Sequence, residues 1–427
     1  MPKPTVDVLD NGVRVLCEPM EGVNSVFVGL WLAAGSRNEL QDEGGMTHFA
    51  EHLLFKGTGR RHWRDISRAM NLLGGQFNAA TSTDWVKAYA RVVKRDLSEA
   101  LGLLTDMFLG SEFPEQEVER ERQVILEEIA MYEDIPEDLC FERFTQALLL
   151  PHPAGRPILG TPEAVSVYTR ERLLDYWREH VLPGRLVLSA AGAVERDDLL
   201  ALAERLLGGL NGGGGADLPG GEPIEGNHKR VLVERDLEQV NFCLGVTGPR
   251  PDPEAKLAWP IYDTILGGGM GSRLFDEVRE KRGLAYSVGS SLQLVKEGGY
   301  LQVSGSTRPE YAATAIEVCR EQMQDLAERG PGREEFDTAR SLLERGHLLA
   351  MEQPGVRASM NAERLLFGVP HLDTEEVLER LRRAAAEDVQ EVARAVVDFG
   401  APAGCLVGPL KGAVGLEEVF PPTAHAV

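Results

Sequence analysis

A glycine-rich stretch in the middle of the chain limits the folds open to it. Residues 208–223 read GGLNGGGGADLPGGEP, and a segment with this much glycine has no preferred conformation and marks a domain boundary. The chain has 427 residues, which is more than one hydrophobic core usually serves. We therefore predict two domains, residues 1–207 and 224–427, joined by a linker at residues 208–223.

The two halves show a similar order of strand-like and helical patterns. Residues 238–246 of the second half correspond to the strand-like residues 23–30 of the first half. The helical pattern Leu257–Leu266 that follows corresponds to the segment of the first half that contains His48 and His52. The predicted fold class is α+β, with two similar α/β-sandwich halves. In the first half the predicted strands are Val13–Glu18, Val26–Leu32, Gln76–Thr81, Val86–Val93 and Arg185–Ala191, and the predicted helices are Trp63–Leu73, Leu97–Leu109, Glu115–Tyr132, Glu137–Leu149, Thr169–His180 and Arg196–Leu207.

The composition of the chain argues against several classes of binding partner. The formal charge of −22, from 45 Lys and Arg against 67 Asp and Glu, disfavours nucleic acid and anionic membranes. It is compatible with basic peptide substrates, although solubility alone is the simpler explanation of this charge. No run of about 18 apolar residues occurs, so we expect no membrane span, and the N-terminal residues do not have the pattern of a secretory signal.

The cysteines indicate the compartment. They are odd in number, widely spaced and form no C-x-x-C pair, which favours buried thiols in a reducing cytoplasm. None has the neighbouring histidine that a thiol nucleophile needs. The five positions are Cys17, Cys140, Cys243, Cys319 and Cys405.

The first half contains a pentapeptide typical of a metal site, His48-Phe49-Ala50-Glu51-His52. In a helix, His48 and His52 lie on the same face, so both imidazoles can bind one Zn²⁺. Glu51 lies beside them and is suited to accept a proton from the attacking water. Two histidines four residues apart also occur by chance as hydrogen-bonded core residues, so a third ligand is needed to support the motif.

The predicted helix Glu115–Tyr132 offers that third ligand. Glu121 and Glu128 lie along the edge of its apolar stripe, whereas Glu127 points away. Glu128 is thus the carboxylate presented to the interior, unless both edge residues merely flank the buried face in solvent. The stripe consists of Val118, Ile125, Ile129 and Tyr132.

These residues together resemble the pitrilysin-type metallopeptidase family, which includes pitrilysin, insulin-degrading enzyme and the mitochondrial processing peptidase. Glu128 lies 76 positions after His52, which matches the spacing of the third ligand in that family. The resemblance implies one Zn²⁺ per chain bound by His48, His52 and Glu128. It also implies Glu51 as the catalytic base and Glu121 as an outer carboxylate that orients a ligand.

The resemblance extends to substrate binding. It implies an edge strand that pairs with the extended peptide backbone, and an arginine and a tyrosine that bind the substrate carbonyl oxygen. Arg279 and Tyr286, seven residues apart, match the second feature. Taken alone, they would pass as a surface charge and a core aromatic. The edge strand is the predicted strand Gln76–Thr81, and its substrate-binding residues are Phe77, Asn78, Ala79 and Ala80.

The three glycines at residues 267–269, followed by a helical pattern, also suggest a phosphate-binding loop. They lack the G-x-x-x-x-G-K-[ST] and G-x-G-x-x-G spacings, so we discount it.

The resemblance implies a duplicated processing-peptidase-like fold and a zinc-dependent endopeptidase. Its substrates would be peptides or unfolded segments held in extended conformation within a closed chamber. Half-size members of the family are usually dimers, and since one chain carries both signatures we expect a cytoplasmic homodimer. The alternative is a non-catalytic or heteromeric assembly subunit of the same family that requires a partner chain.

Overall fold

The computed structural model describes residues 3–211, 221–248, 257–398, 402–421 and 424–425. The chain divides into two compact units, each with a six-stranded sheet and helices. This confirms the predicted α+β class with two similar halves. The first unit comprises Met1–Ile129, Arg156–Gly221 and Leu348–Thr374, and the second comprises Ala130–Gly155, Glu222–His347 and Glu375–Val427.

The elements are numbered in chain order. The strands are β1 Thr5–Val8, β2 Arg14–Pro19, β3 Ser25–Leu32, β4 Gln76–Thr81, β5 Val86–Val93, β6 Leu186–Gly192, β7 Arg230–Glu234, β8 Val240–Gly248, β9 Ala285–Val295, β10 Gly298–Thr307, β11 Ala403–Gly408 and β12 Ala424–His425. The helices are α1 Met46–Leu53, α2 Trp63–Leu73, α3 Leu97–Gly110, α4 Glu115–Asp134, α5 Pro136–Leu149, α6 Pro162–Val167, α7 Arg170–His180, α8 Arg196–Leu207, α9 Ala258–Leu266, α10 Ala312–Arg329, α11 Arg333–Ala350, α12 Pro354–Phe367, α13 Thr374–Arg383, α14 Ala386–Asp398 and α15 Leu416–Val419.

The first sheet has the order β1-β2-β6-β3-β5-β4, with β4 at an edge. Successive side chains of a strand point to opposite faces, and β3 is apolar on both. One face packs with α1 in the main core of the unit, to which Val28, Leu30, Phe49 and Leu53 belong. The other face is covered by α12, where Phe27 and Trp31 pack in one cluster with Ala358 and Ala362.

The second sheet has the order β12-β7-β11-β8-β10-β9, with β9 at an edge. Helix α5 covers one face of it, and Cys140 and Phe144 of α5 pack in one cluster with Cys243 and Cys405. The two sheets therefore share a plan in which a helix distant in sequence covers one face.

The units differ from the predicted domains because each takes a helix from the opposite half of the chain. Helix α12 belongs to the first unit and α5 to the second. The Glu18 carboxylate accepts hydrogen bonds of 2.6 Å from both Arg357 and Asn361, which fixes α12 on the first sheet. Periodicity is local in sequence and does not reveal such pairings. Most of the predicted linker, residues 212–220, lies outside the described residues.

Of two further predictions about side-chain burial, one is confirmed and the other is wrong at one residue. All five cysteines are buried and free, as predicted. In α4, Val118, Ile125 and Ile129 are buried as expected, but Tyr132, two residues before the end of the helix, is 38% exposed. None of the helices in the described part of the chain combines the length and apolar character needed to cross a membrane.

Candidate active site

Helix α1 holds both histidines of the pentapeptide and is fixed by its apolar side. It begins after Gly45, whose φ of 88° lies in the left-handed region that favours glycine. A Cβ at this position would lie 2.5 Å from the carbonyl oxygen of Leu159. The side chains that anchor the helix in the core are Met46, Phe49, Ala50 and Leu53, each with 0% exposure.

The N-terminus of α1 is held by Glu39, which sequence analysis missed. Its two carboxylate oxygens accept hydrogen bonds from the backbone N–H groups of Gly45, at 2.9 Å, and Thr47, at 2.8 Å. Burial raises the pKa of Glu39 to about 7, although these hydrogen bonds oppose the shift. An acidic residue just upstream of a helix start is a signal for such a contact, but Glu39 lies six positions before Gly45 in an irregular segment.

The three predicted metal ligands lie together in the first unit. Glu128 Oε2 is 3.8 Å from Nε2 of His48 and 3.6 Å from Nε2 of His52. Among the described residues, this is the one group of three or more His, Cys, Asp or Glu side chains whose ligand atoms all lie within 4.8 Å of one another. Glu127, the neighbouring candidate on α4, is exposed.

The Nε2 atoms of both histidines face Glu128, and in His52 a contact at Nδ1 supports this orientation. Nδ1 of His52 lies 3.1 Å from Oε2 of Glu121, whose other oxygen is 2.7 Å from Nζ of Lys56. Burial opposes ionisation of Glu121, but the hydrogen bonds from His52 and Lys56 lower its pKa overall. An ionised Glu121 requires the proton of His52 on Nδ1, which leaves the Nε2 lone pair free for a metal. Sequence analysis did not identify Lys56.

His48 is held in its neutral form. It is 8% exposed, and burial followed by the charge of His52 lowers its pKa to about 3. Its Nδ1 is buried without a hydrogen-bond partner in the described part of the chain. A metal ligand must be an unprotonated imidazole, so His48 meets this requirement at neutral pH.

Glu51 lies on the same helix and contacts the edge strand. The hydroxyl of Thr81, the last residue of β4, donates a 2.7 Å hydrogen bond to Glu51 Oε2. Burial raises the pKa of Glu51, and the Thr81 hydrogen bond partly offsets the shift. Thr81 was predicted as part of the strand but not as a site residue. Its position one residue after the predicted binding segment was the signal available.

The predicted substrate strand is the edge strand β4. Each of its residues pairs with β5, for example Asn78 with Tyr89 and Ala80 with Lys87. No strand pairs with its other edge in the described residues, so that edge is open to another extended backbone. Along β4, Phe77, Ala79 and Thr81 share one face, and Asn78 and Ala80 share the other.

Arg279 and Tyr286 are neighbours in the second unit. Arg279 lies in a π-helical segment, Phe275–Glu280, and Tyr286 is the second residue of β9. The guanidinium carbon lies 4.9 Å from the centre of the Tyr286 ring and 4.7 Å from that of Phe275, which are cation–π distances. Tyr286 is 77% exposed, so it is not the core aromatic that its sequence alone allowed.

Comparisons with known proteins give a consistent result. A family model described as insulinase (peptidase family M16) matches residues 14–162, and one described as the peptidase M16 inactive domain matches residues 168–343. A relative from Mycobacterium tuberculosis named as an uncharacterized zinc protease is 38% identical over 395 residues, covering 92% of this chain and 90% of the relative. One of the same description from Bacillus subtilis is 33% identical over 384 residues, covering 90% and 93%.

Solved structures show the same fold at lower identity. A peptidase M16 inactive domain from Pseudomonas fluorescens has a TM-score of 0.87 at 21% identity, with 96% of this chain and 98% of that chain covered. A protease from Helicobacter pylori has a TM-score of 0.88 at 20% identity, with 96% and 100% covered. A chain of complex III2 from Candida albicans has a TM-score of 0.82 at 16% identity, with 97% and 98% covered.

Proposed function

The chain belongs to the insulinase family, peptidase family M16, and on that premise we propose that it is a zinc-dependent endopeptidase. Its substrates are peptides or unfolded segments held in extended conformation within a closed chamber. The observation that carries the proposal is the convergence of His48, His52 and Glu128, whose ligand atoms lie within 4.8 Å of one another. Relatives at 33% to 38% identity are named zinc proteases, which agrees with it.

The residues present suit one zinc ion per chain. Two imidazoles and one carboxylate are a common ligand set for catalytic zinc and leave one coordination position open. Nδ1 of His52 is already occupied by Glu121, so its Nε2 is the atom available to bind. When bound, zinc would supply Lewis acidity that lowers the pKa of the attacking water and polarises the peptide carbonyl.

Glu51 is the proposed general base. Its carboxylate accepts a proton from the attacking water and returns the proton to the nitrogen of the leaving amine. The raised pKa of Glu51, which burial causes, strengthens it as a base toward the attacking water. The hydroxyl of Thr81 restricts rotation of the carboxylate through its 2.7 Å hydrogen bond.

We assign substrate binding to main-chain pairing with β4 and to two hydrogen-bond donors, Arg279 and Tyr286. The open edge of β4, at Phe77, Asn78, Ala79 and Ala80, would pair with the peptide main chain and so recognise extended shape more than side chains. Arg279 and Tyr286 would donate hydrogen bonds to the carbonyl oxygen as negative charge develops on it. This second assignment depends on the sequence resemblance and on the contact between the two side chains.

The proposal includes a homodimer in a reducing cytoplasm. One chain carries both the metal motif and the Arg279 and Tyr286 pair, so a second copy of the same chain would suffice. Five buried free thiols fit a reducing compartment. The alternative is a non-catalytic or heteromeric assembly subunit, and the intact metal cluster favours the enzyme over it.

Metal analysis and peptide cleavage on the purified chain test the proposal together. We expect about one zinc per chain, and cleavage of an unfolded peptide that a chelator abolishes and added zinc restores. If the folded chain remained inactive after zinc is added, the proposed peptidase activity would be refuted in favour of the assembly-subunit alternative. Activity that appears only with a second, different chain would refute the homodimer.

A further inference from the structure

Around Cys243, the three strands at one edge of the second sheet carry small or polar residues on the face that α5 covers, whereas Tyr300 and Val295 farther along this face pack with α5. Directly opposed residues on neighbouring strands point to the same face. Cys243, which packs with α5, is opposed by Ser304, and Ser304 is opposed by Gly289. The neighbouring rows on this face are Asn241, Ser306 and Ser287, and Gly245, Gln302 and Ser291.

These residues leave a cavity of about 360 Å³ beneath α5, in the second unit. Such a volume lies in the range of small-molecule binding sites. The entrance has the exposed residues Glu137 and Ser287. The interior includes the buried residues Cys140 and Asn241.

The first unit shows that the fold does not require this cavity. The face of its sheet beneath α12 is filled by aromatic side chains. Trp31 is 0% exposed, and the rings of Phe27 and Tyr89 are stacked with their centres 5.0 Å apart. In the second unit one aromatic pair, Phe144 and Tyr300, packs beneath α5 with ring centres 6.0 Å apart. Serine and glycine at the neighbouring positions leave the space unfilled.

The cavity contains two hydrogen-bond acceptors without partners. Oδ1 of Asn241 and Oε1 of Gln302 are buried and have no hydrogen bond within the described part of the chain, and Asn241 is only 5% exposed. Buried polar atoms are normally paired, because an unpaired one destabilises the fold. Two such atoms lining one cavity are free to accept hydrogen bonds from a ligand that enters it.

The charges around the cavity determine the class of ligand. Its lining includes the carboxylates of Glu137 and Asp138 but no lysine, arginine or histidine. Acceptors combined with negative charge favour a molecule that has several N–H donors and carries positive charge. Phe141, also in the lining, offers an aromatic surface for the carbon chain of such a molecule or for its charge.

We propose that this cavity binds a small organic cation, a primary amine or guanidinium compound. Its N–H groups donate to Asn241 and Gln302, and its charge is balanced by Glu137 and Asp138. The cavity shares no residue with the metal cluster, so this binding does not depend on the proposed peptidase activity.

Calorimetric titration of the full-length chain tests the proposal, with agmatine as the probe. The neutral diol 1,4-butanediol and the dianion succinate are the matched small molecules. The titrations are run at moderate salt, because the charge of −22 attracts any cation weakly to the surface. We expect saturable binding of agmatine alone.

Two variants link that binding to the cavity. Asn241→Leu and Gln302→Met each remove one acceptor, and we expect agmatine affinity to fall about tenfold or more in each, since a hydrogen bond to a charged group is lost. Gln324→Met, at an exposed position on α10 outside the cavity, should bind agmatine as the wild type does. Asn241→Leu should melt no lower than the wild type without ligand, because it removes an unpaired buried atom.

Several results would overturn the proposal. They are the absence of saturable agmatine binding, equal binding of the diol or succinate, and affinity unchanged in the cavity variants. Gln302→Met alone decides the matter if Asn241→Leu does not fold, because Gln302 is only half-buried.

Discussion

Glu121 lies 3.1 Å from Nδ1 of His52, on the side of the imidazole ring opposite the nitrogen that faces Glu128. The other oxygen of Glu121 is 2.7 Å from Lys56. A single buried carboxylate thus determines both the tautomer and the ring orientation of one proposed zinc ligand.

Replacing Glu121 should weaken metal binding without abolishing it. In Glu121→Gln the side chain no longer carries the charge that holds the His52 proton on Nδ1, so we expect zinc affinity to fall about 10-fold to 100-fold. Competition with a chromophoric chelator measures this. Glu119→Gln, a largely exposed position on the same helix, is the control, and equal affinity in the two variants would refute the orienting role.

The choice between two adjacent glutamates on α4 is directly testable. Glu128→Ala removes the carboxylate oxygen that lies 3.6 Å from His52, so the purified variant should contain almost no zinc. Glu127→Ala alters an exposed neighbour and should retain wild-type zinc content. Metal analysis of both proteins after identical dialysis gives the answer, and the reverse pattern would show that Glu127 is the ligand.

Thr81 should influence the pH dependence of catalysis. Thr81→Val keeps the side-chain shape but removes the hydrogen bond that lowers the pKa of Glu51. The pKa of the base therefore rises further, and the acidic limb of the kcat/KM profile should move to higher pH by about one unit. Thr81→Ser retains a hydroxyl and should keep the wild-type profile. Matching profiles for the Val and Ser variants would disprove the contact's role, provided that their zinc content is equal.

Glu39 should make the stability of the metal-free protein depend on pH. Its folded-state pKa of about 7 is raised from 4.5 by burial, so between these values the folded protein binds a proton that the unfolded chain has lost. The stabilisation is complete below about pH 4.5 and disappears as the pH rises through 7. The wild type should therefore lose about 3 kcal/mol more free energy of unfolding than Glu39→Gln between pH 4.5 and 7.5.

Urea unfolding in chelator at these two pH values measures the difference. Glu163→Gln, an exposed change on α6, is the control and should behave as the wild type does. If Glu39→Gln showed the same pH dependence as this control, folding would not raise the pKa of Glu39.

Much of the fold was predictable because its elements are periodic and well delimited. The observed bounds of α2, β4, β5 and α8 are those predicted, and each element shows a clear apolar pattern between turn residues. The clustering of the three proposed metal ligands was predictable for a related reason. Helix geometry makes His48 and His52 neighbours and places Glu128, but not Glu127, beside the buried side of α4.

The remaining features depend on contacts that no local pattern contains. The pairing of Glu18 with Arg357, which fixes α12 on the first sheet, joins residues 339 positions apart. The contacts of Glu39 with Gly45 and of Lys56 with Glu121 depend on how irregular segments and neighbouring helices pack. Such side chains resemble ordinary surface charges until the surrounding elements are in place.

The most direct test of the central claim compares wild type and Glu51→Gln for zinc content and peptide cleavage in parallel. Glu51 is not among the three clustered ligands, so the variant should retain about one zinc per chain. It should lose cleavage by at least about 100-fold, since it has no group to accept the proton of the attacking water. A variant that keeps both zinc and full activity would contradict the assignment of Glu51 as the catalytic base.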